Sequence, residues 1–463
     1  MTSKRYIVGM DTSIKEALLA LEISSPVNTL LVINDSSQRL EGVVTDGDIR
    51  RCLIEGGRTS DGIEKCLNRN FVSLDQAASK EEVLKLFDTG KYKLLPVVDN
   101  EGSVIDIVTM DSLSEIYTKK KLSFARSMAP VRMSFGGGGS DMTSYFSENS
   151  GAVLSSTIRL YARCRLQRRL DLKVNICSYD LGISVSFDGP TKIDSKEPDL
   201  GLVVAVINTI KPDFGFDLEI KSDFPVGSGL GGSSAVCVAI LGCFNEFREE
   251  KWDSYQIAEL AFQAERLTLG IAGGWQDQYA SAFGGFNYIE FTKKQNVVHP
   301  LRINETIIRE LEHRCLICYT AVSRESHCIQ EKMTSPKLKD NQRIKNEIMH
   351  NTSAIKNVLL RGNIDELGFL LNDNWKLKKE LSPEASNKDL DAIYDLALSN
   401  GASGGKLLGA GGGGYFLFVA NAENRFTLQQ SLEHAGFSVQ NIEFEDRGLQ
   451  TWKMHTLAVD NTN

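Results

Sequence analysis

The sequence lacks the features of three large classes of protein. It has no run of about 18 consecutive apolar residues, as a membrane-spanning helix requires, and its N-terminal segment has no apolar core of a secretory signal. Nine cysteines among 463 residues form no disulfide framework. A net charge of −8 disfavours a broad nucleic-acid-binding surface. We therefore expect a cytoplasmic protein with reduced thiols that binds neither nucleic acid nor a membrane.

Glycine, in contrast, is abundant. The chain contains 39 glycines, and many of them stand in three clusters that begin at positions 136, 227 and 409. With 42% apolar residues and this length, the chain is expected to fold into about two to four globular domains. The glycine clusters are where we look for the chemistry, because a backbone without side chains lets a ligand approach closely.

Residues 1–118 contain an internal repeat of helix and strand signals. Each copy opens with a capping box, at Ser13 and at Ser79, which predicts the start of a helix. Two short apolar strands follow each helix, and the second strand ends in a threonine, Thr45 or Thr109. The pattern predicts two βαββ-type units in tandem.

This duplication and the string EGVVTDGDIRR resemble a tandem CBS-domain module. In that family a Thr or Ser and an Asp three residues later hold the ribose of an adenine nucleotide, and Thr45 and Asp48 match that spacing. The second copy departs from it, because Ser112 stands where the Asp would be. A simpler interpretation is that Asp48 only caps the helix that follows. The resemblance implies either a regulatory adenine nucleotide at Thr45 and Asp48 or a platform for oligomerisation.

The second glycine cluster, PVGSGLGGSSA, runs from Pro225 to Ala235. An alternating strand precedes it and an apolar helix follows it, so free N–H groups and the positive end of the helix dipole would face one point. This arrangement predicts a phosphate-binding loop. The spacing of Gly227, Gly229 and Gly232 also fits the dinucleotide fingerprint, but no second strand ending in an acid follows at the expected distance.

The ordinary P-loop, G-x-x-x-x-G-K-[ST], is absent from the chain. Hydroxyls in place of its lysine indicate that Ser233 or Ser234 contacts a Mg²⁺ ion that bridges nucleotide phosphates. Two later carboxylates, Glu265 and Asp277, suit one metal ligand and one general base. Glu265 is expected to be semi-buried on the flank of a helix over 254–268. Two solvated acids are the alternative.

The first and third clusters are read as loops that approach a ligand. In RMSFGGGGSD, Arg132 and Asp141 flank four glycines and can supply a fixed cation and a hydroxyl acceptor, although a flexible hinge would look the same. In KLLGAGGGG, a loop from Lys406 to Gly414 enters a buried strand, and tight packing is the alternative. The CxxC at Cys315 is expected to be part of a strand rather than a zinc site.

These three motifs, in this order and spacing, resemble the GHMP kinase superfamily over residues 124–463. The strings RMSFGGGGSDM, GSGLGGSSA and GGWQDQYASAFGGFN look most like its D-glycero-D-manno-heptose 7-phosphate kinases. The resemblance implies an α/β (α+β) protein, a two-lobed GHMP kinase fold preceded by the CBS pair, with ATP in the cleft. It implies phosphorylation of the anomeric hydroxyl of the heptose 7-phosphate to the 1,7-bisphosphate, for nucleotide-activated heptose synthesis. Kinases of a free sugar such as fucose, and an inactive nucleotide sensor, are the alternatives.

The resemblance also implies a role for each candidate residue. Asp277 would take or orient the proton of the attacking hydroxyl, and Arg132 would steady charge on the transferred phosphoryl group. Ser233 and Glu265 would hold Mg²⁺. The residues expected to bind ATP are Pro225, Gly227, Ser228, Gly229, Leu230, Gly231, Gly232, Ser233, Ser234 and Ala235. Those expected to bind the sugar phosphate are Gly137, Gly138, Asp141, Arg324, His327, Lys406, Gly411 and Gly412, with Arg324, His327 and Lys406 as candidates for its phosphate.

The domain boundaries follow from these motifs. We expect a CBS module at 1–118, a linker at 119–127, an N-terminal kinase lobe with the ATP loop at 128–295 and a C-terminal lobe at 296–463. Heptose kinases of this type usually begin at the first glycine motif, so the module is an addition. It suggests regulation by an adenine nucleotide or assembly into a homo-oligomer.

Overall fold

The structure, a computed structural model, describes residues 3–75, 78, 80–110, 121–169, 171–193, 200–321 and 338–457. The chain divides into two compact units, a smaller one built on Met1–Lys121 and a larger one on Leu122–Thr456. Both contain helices and strands, so the chain has the mixed α/β fold that was predicted. Within the described part of the chain, no helix combines the length and the apolarity needed to cross a membrane.

The smaller unit holds the repeat as two copies of one arrangement. The first copy consists of β1 (Ile7–Gly9), α1 (Ile14–Ile23), β2 (Thr29–Ile33) and β3 (Leu40–Thr45), followed by α2 (Asp46–Ile54). The second consists of β4 (Leu74–Asp75), α3 (Lys80–Asp88), β5 (Leu94–Val98) and β6 (Val104–Thr109). In each copy the first strand pairs in parallel with the second, which pairs antiparallel with the third. The tandem βαββ-type arrangement is confirmed.

The start of α1 shows how local signals build this unit. The Ser13 hydroxyl accepts the backbone N–H of Glu16, and the Glu16 carboxylate accepts the backbone N–H of Ser13 at 2.9 Å. Ile14, Ala17 and Leu21 then lie on one buried face of the helix, at helical spacing. The capping box at Ser13 is confirmed, whereas its counterpart at Ser79 lies outside the described residues.

The larger unit contains a sheet of eight strands. They are β7 (Lys121–Gly136), β8 (Gly151–Arg168), β9 (Val174–Ser178), β10 (Ile183–Phe187), β11 (Phe216–Ser222), β12 (Phe286–Phe291), β13 (Asn296–Pro300) and β18 (Gln450–Leu457). Six follow the order β10-β9-β11-β8-β12-β13, and β7 pairs with both β8 and β18. The long β8 pairs with β12 along its first part and with β11 along its last part. The final strand of the chain thus returns to the sheet that carries the first glycine motif.

A second sheet of the larger unit has four antiparallel strands in the order β15-β16-β14-β17. They are β14 (Cys315–Tyr319), β15 (Ala402–Leu407), β16 (Tyr415–Ala420) and β17 (Ser438–Asn441). All residues of β16 are buried, as expected for the strand after the third glycine cluster. Cys315 and Cys318 are buried in β14, and the cysteines that the structure describes are free thiols. This favours the strand interpretation of the CxxC.

Helices pack on both sheets of the larger unit. They are α4 (Thr143–Phe146), α5 (Gly201–Ile210), α6 (Gly232–Asn245), α7 (Ser254–Phe262), α8 (Gln276–Phe283), α9 (Glu305–Arg314), α10 (Leu338–Arg361), α11 (Ile364–Leu381), α12 (Lys388–Ser399) and α13 (Arg425–His434). Short 3₁₀ helices occur at Ser3–Tyr6, Ile63–Cys66, Pro190–Lys192 and Pro383–Ala385. Helix α6 packs on β8, and α11 packs on α10 and β15. Helix α6 thus begins at the end of the second glycine cluster, and α11 packs on the strand that precedes the third.

Candidate active site

One cleft of the larger unit collects residues from distant parts of the chain. Arg132 from β7, Asp141 from the first glycine loop, Asp277 from α8 and Lys406 from β15 all line it, with Lys378 from α11. The cleft contains about 680 Å³ of empty space and is open to solvent. Four residues singled out separately in the sequence thus share one site.

Arg132 and Asp277 form a nearly buried ion pair in this cleft. The Arg132 Nη2 and Nε atoms lie 2.7 and 2.8 Å from Asp277 Oδ1. The Arg132 Nη1 atom donates to the Gly229 carbonyl at 2.7 Å, so the guanidinium joins the acid to the second glycine cluster. Both contacts to Asp277 end on Oδ1. Its other oxygen, Oδ2, is therefore available to a ligand.

The second glycine cluster ends in a helix start without a side-chain cap. Gly231 is the N-cap of α6, has φ 74°, and provides no side-chain hydrogen bond to the first turn. The first N–H groups of a helix have no partner within the helix, so those of Gly232, Ser233 and Ser234 remain available for an anion. An added Cβ at Gly231 would lie 3.2 Å from the Asp277 carboxyl carbon. The N–H groups at the start of α6 and the Asp277 Oδ2 atom are therefore neighbours.

The third glycine cluster packs against the second, backbone to backbone. Gly229 has φ 75°, and a Cβ there would lie 2.8 Å from the Leu408 carbonyl oxygen. A Cβ at Gly414 would lie 2.5 Å from the Ser228 carbonyl oxygen. These contacts require glycine on both sides. The tight-packing interpretation thus describes part of the third cluster, while Gly409 and Ala410 line the cleft.

Glu265 is placed differently from the sequence prediction. The expected helix over 254–268 is α-helical only at Ser254–Phe262 and π-helical at Gln263–Thr268. The prediction of a semi-buried flank position is wrong, because Glu265 is fully buried. A π turn adds a residue to the helical repeat, so the direction of the following side chains departs from the 100° per residue that the prediction assumed. The turn directs the carboxylate at the start of α6.

Four donors surround the Glu265 carboxylate. Ser233 and Ser234 donate their hydroxyls at 2.5 and 2.6 Å, and Gln278 donates its amide at 2.7 Å. Arg266 lies 3.5 Å away with its Nη1 atom. Ser234 is buried whereas Ser233 is exposed, so only Ser233 joins the carboxylate to the open side of the loop.

These residues fit a Mg²⁺ ion shared with nucleotide phosphates. The described residues contain no cluster of three or more His, Cys, Asp or Glu side chains that could hold a metal. Mg²⁺, however, is commonly held by one or two protein oxygens together with substrate phosphates and water. Adjacent oxygens of Ser233 and Glu265 beside the anion site match that donor set.

Asp141 also lines the cleft. It is 2% exposed, and its two oxygens accept the backbone N–H groups of Gly139 at 3.0 Å and Gln276 at 3.2 Å. Burial, and then the negative charge of Asp277, raise the pKa of Asp141. Each carboxylate oxygen keeps a free lone pair for a further donor such as a sugar hydroxyl.

Two lysine amines line the cleft. Burial, together with the charge of Arg132, lowers the pKa of Lys406 to about 7. Lys378, which the sequence analysis did not single out, lines the same cleft. Burial and the charges of Lys406 and Arg132 hold its pKa well below the usual range. Lys378 stands in an ordinary amphipathic helix among other lysines, so no local signal distinguishes it.

Other residues predicted for the substrate site have different surroundings. Gly138 lines the cleft, whereas Gly137 packs against the Ala152 carbonyl. Gly411 and Gly412 lie against Ala385, whose carbonyl accepts the Gly412 N–H at 2.8 Å. Their roles as substrate residues stay predictions. Arg324 and His327 lie outside the described residues.

The predicted nucleotide site of the smaller unit is a capping box in the structure. The Thr45 backbone N–H and hydroxyl donate to Asp48 Oδ2 at 2.9 and 2.6 Å, and the Asp48 N–H donates back to the Thr45 hydroxyl at 3.3 Å. The capping interpretation of Asp48 is therefore confirmed. A role of the same pair in nucleotide binding stays a prediction.

Comparison with known families gives consistent matches. Residues 201–285 match the GHMP kinases N terminal domain, and residues 354–436 match the GHMP kinases C terminal domain. Residues 1–55 and 63–119 match the CBS domain. The matched parts cover the ATP loop, α11 and the repeat, respectively.

Individual relatives point in the same direction. A D-glycero-alpha-D-manno-heptose 7-phosphate kinase of Campylobacter jejuni is 36% identical over 339 residues, which cover 71% of this chain and 99% of that protein. The bifunctional fucokinase/GDP-fucose pyrophosphorylase of Arabidopsis thaliana is 29% identical, covering 67% of this chain and 31% of that protein. The solved structure of a D-glycero-D-manno-heptose 1-phosphate kinase from Bacteriodes thetaiotaomicron matches with a TM-score of 0.62 at 30% identity, covering 72% of this chain and all of that one.

Proposed function

Because the chain belongs to the GHMP kinase family and is an ATP-dependent sugar kinase, we propose that its substrate is D-glycero-D-manno-heptose 7-phosphate. The γ-phosphoryl group of ATP would pass to the anomeric hydroxyl, and the products would be the 1,7-bisphosphate and ADP. The observation that carries this proposal is the Arg132–Asp277 pair beside the ATP loop. The C. jejuni relative, which is aligned over 99% of its length, supports the choice of sugar.

Asp277 acts on the attacking hydroxyl in this proposal. Its Oδ2 atom accepts the hydrogen bond of the anomeric hydroxyl, which orients the oxygen lone pair toward the phosphorus. As the new O–P bond forms, the hydroxyl proton passes to the carboxylate. Arg132 holds the other oxygen of Asp277 and so keeps the carboxylate in one orientation.

Arg132 and the start of α6 bear the charge of the phosphates. The guanidinium is 3% exposed, so its charge acts in a medium of low polarity on the phosphoryl group in transfer. The N–H groups of Gly232, Ser233 and Ser234 receive the phosphates of ATP. Ser233 and Glu265 would hold Mg²⁺, which supplies neutralising charge to the phosphate oxygens when bound.

Asp141 positions the sugar ring. It accepts hydroxyl hydrogen bonds in the cleft, and its two backbone N–H contacts keep the carboxylate in place. In the smaller unit, we propose that Thr45 and Asp48 hold an adenine nucleotide that regulates turnover. Since Asp48 also caps α2, nucleotide binding there would require its carboxylate to share or release the cap.

The test is ADP release from ATP and Mg²⁺ with a panel of sugars, with and without added AMP. Selective turnover of D-glycero-D-manno-heptose 7-phosphate supports the proposal. Turnover only of free sugars such as L-fucose overturns the substrate, and the fucokinase relative makes this the second candidate. ATP binding without turnover of any sugar would favour a nucleotide sensor instead.

A further inference from the structure

Two lysine amines enter the cleft from different elements and meet backbone oxygens there. Lys378 in α11 donates its Nζ to the carbonyls of Gly409 and Leu407, at 2.5 and 3.3 Å. Lys406 in β15 is 4% exposed, and its Nζ lies 3.5 Å from the Phe135 carbonyl. Both side chains line the cleft beside Arg132.

Within the described ranges, neither amine makes an ion pair with a carboxylate. This separates them from Arg132, whose charge Asp277 balances. It also separates Lys378 from its neighbour Lys379, which lies 3.1 Å from Asp391 Oδ1. Buried charge without a partner costs free energy, and here the cost is visible as lowered pKa values of both lysines. An anion that binds between two such amines would stabilise their protonated forms.

We propose that Lys378 and Lys406 form the subsite for the phosphate group that the sugar already carries. This inference rests on the proposed function, because it assumes a phosphorylated substrate. A phosphate monoester carries close to two negative charges at neutral pH and has three acceptor oxygens, enough for two ammonium groups. When it binds, both lysines gain the partner that they lack, and their protonated forms are stabilised.

The residues proposed for this phosphate differ from those proposed for the phosphate in transfer. Arg132, the start of α6 and Glu265 already serve the nucleotide end, while Asp141 presents a carboxylate to hydroxyls. Besides Arg132, the cations of the lining are Lys378 and Lys406, and Asn374, one helical turn before Lys378, lines the same space. A sugar that carries both hydroxyls and a phosphate matches this set of groups.

The experiment compares two substrates that differ only in the phosphate, D-glycero-D-manno-heptose 7-phosphate and D-glycero-D-manno-heptose. Kinetics are measured on the full chain for wild type, Lys378→Met, Lys406→Met and the control Lys379→Met. We expect the first two variants to raise KM for the phosphorylated sugar about 10- to 100-fold, the value of a charge-assisted hydrogen bond. KM for the free sugar and for ATP should change little, and Lys379→Met should behave as wild type. Lys378→Arg, which keeps the charge, should recover part of the loss.

A second measurement, of the melting temperature with bound ligand, needs no turnover and therefore also applies to a variant with weak activity. Heptose 7-phosphate should raise the melting temperature of the wild type but not of Lys378→Gln, whereas ATP should stabilise both. Equal losses for both sugars and ATP would assign Lys378 to holding the third glycine loop and overturn the subsite. A rise in KM for ATP alone would assign the lysines to the nucleotide and overturn it as well.

The two proposals fail in different ways. If the wild type phosphorylates only free sugars, the proposed function fails, and the subsite fails with it. If the wild type phosphorylates heptose 7-phosphate and the lysine variants keep its KM, only the subsite fails.

Discussion

Two acids stand in the first turn of a helix, Asp48 in the smaller unit and Asp277 in the larger one, and they are used in different ways. Asp48 caps its own helix, since Thr45, three residues earlier, donates two hydrogen bonds to its carboxylate, and Arg51, three residues later, lies 3.6 Å from it. Asp277 is not part of a capping box, because Trp275 at the N-cap makes no side-chain capping bond and the partner of the acid is Arg132, 145 residues away. An acid held by its neighbours stabilises a helix. An acid that is bound by a residue distant in the sequence can accept a hydrogen bond from a ligand.

The largest effect is expected for Asp277→Asn. The amide keeps the size of the side chain but removes its ability to take a proton, so kcat should fall about 10²- to 10⁴-fold. The dissociation constant for ATP should stay within a few-fold of wild type. Steady-state kinetics and calorimetric titration with ATP measure the two. Asp373→Asn, an exposed acid on α11, is the control. Unchanged turnover of Asp277→Asn would remove the distinction between the two acids.

Arg132→Lys changes the distant partner of Asp277 rather than the acid itself. An ammonium cannot hold Asp277 and the Gly229 carbonyl together as the planar guanidinium does, so both the acid and the transferred phosphoryl group lose support. We expect a fall in kcat of about 10²- to 10³-fold, the size seen when one charge-stabilising group is lost. Arg165 pairs with Glu219 near the surface, and Arg165→Lys is therefore the matched control. A kcat within twofold of wild type would contradict the assigned role.

Lys406→Met tests a buried amine that has no carboxylate partner among the described residues. The pKa of Lys406 is about 7 in the fold against 10.5 in the unfolded chain. Between these pH values the unfolded chain binds the extra proton, so this group makes the fold less stable as pH falls from 10.5 to 7, and the full penalty persists below 7. The variant should therefore gain melting temperature over wild type at pH 6, by several degrees, and less at pH 9.5. Thermal unfolding at both pH values measures this, and a difference independent of pH would contradict it.

The smallest effect is expected for Asp48→Ala. It removes one half of the capping box and should lower the stability of the smaller unit by about 0.5–2 kcal/mol. Asp46→Ala, which loses only an exposed ion pair with Arg50, should change it by less than about 0.5 kcal/mol. Denaturant unfolding followed by circular dichroism compares them. Equal effects of the two variants would mean that Asp48 does not act as a cap.

Much of the site could be predicted, because its motifs are local. Glycines that lead into an uncapped helix, and acids and cations at fixed spacing from them, are visible along the chain and identify Arg132, Asp141 and Asp277. Two features were not predictable in this way. The π turn depends on how Glu265 packs under α6, and helical periodicity alone describes only a regular helix. Lys378 has the same local pattern as Lys379, and only packing separates the cleft from the outer side.

The amino-acid pattern alone was enough to predict the tandem βαββ units, the cap of α1, the glycine loop at the start of α6 and the family of the chain. These depend on contacts between residues a few positions apart, where spacing and residue type decide the outcome. The packing of the fold was needed to show that Arg132 holds Asp277, that β18 pairs with β7 and that Lys378 and Lys406 share a cleft with no carboxylate partner among the described residues. Such contacts join residues that are far apart in the sequence. They depend on which surfaces pack together, and no short segment contains the residues of both surfaces.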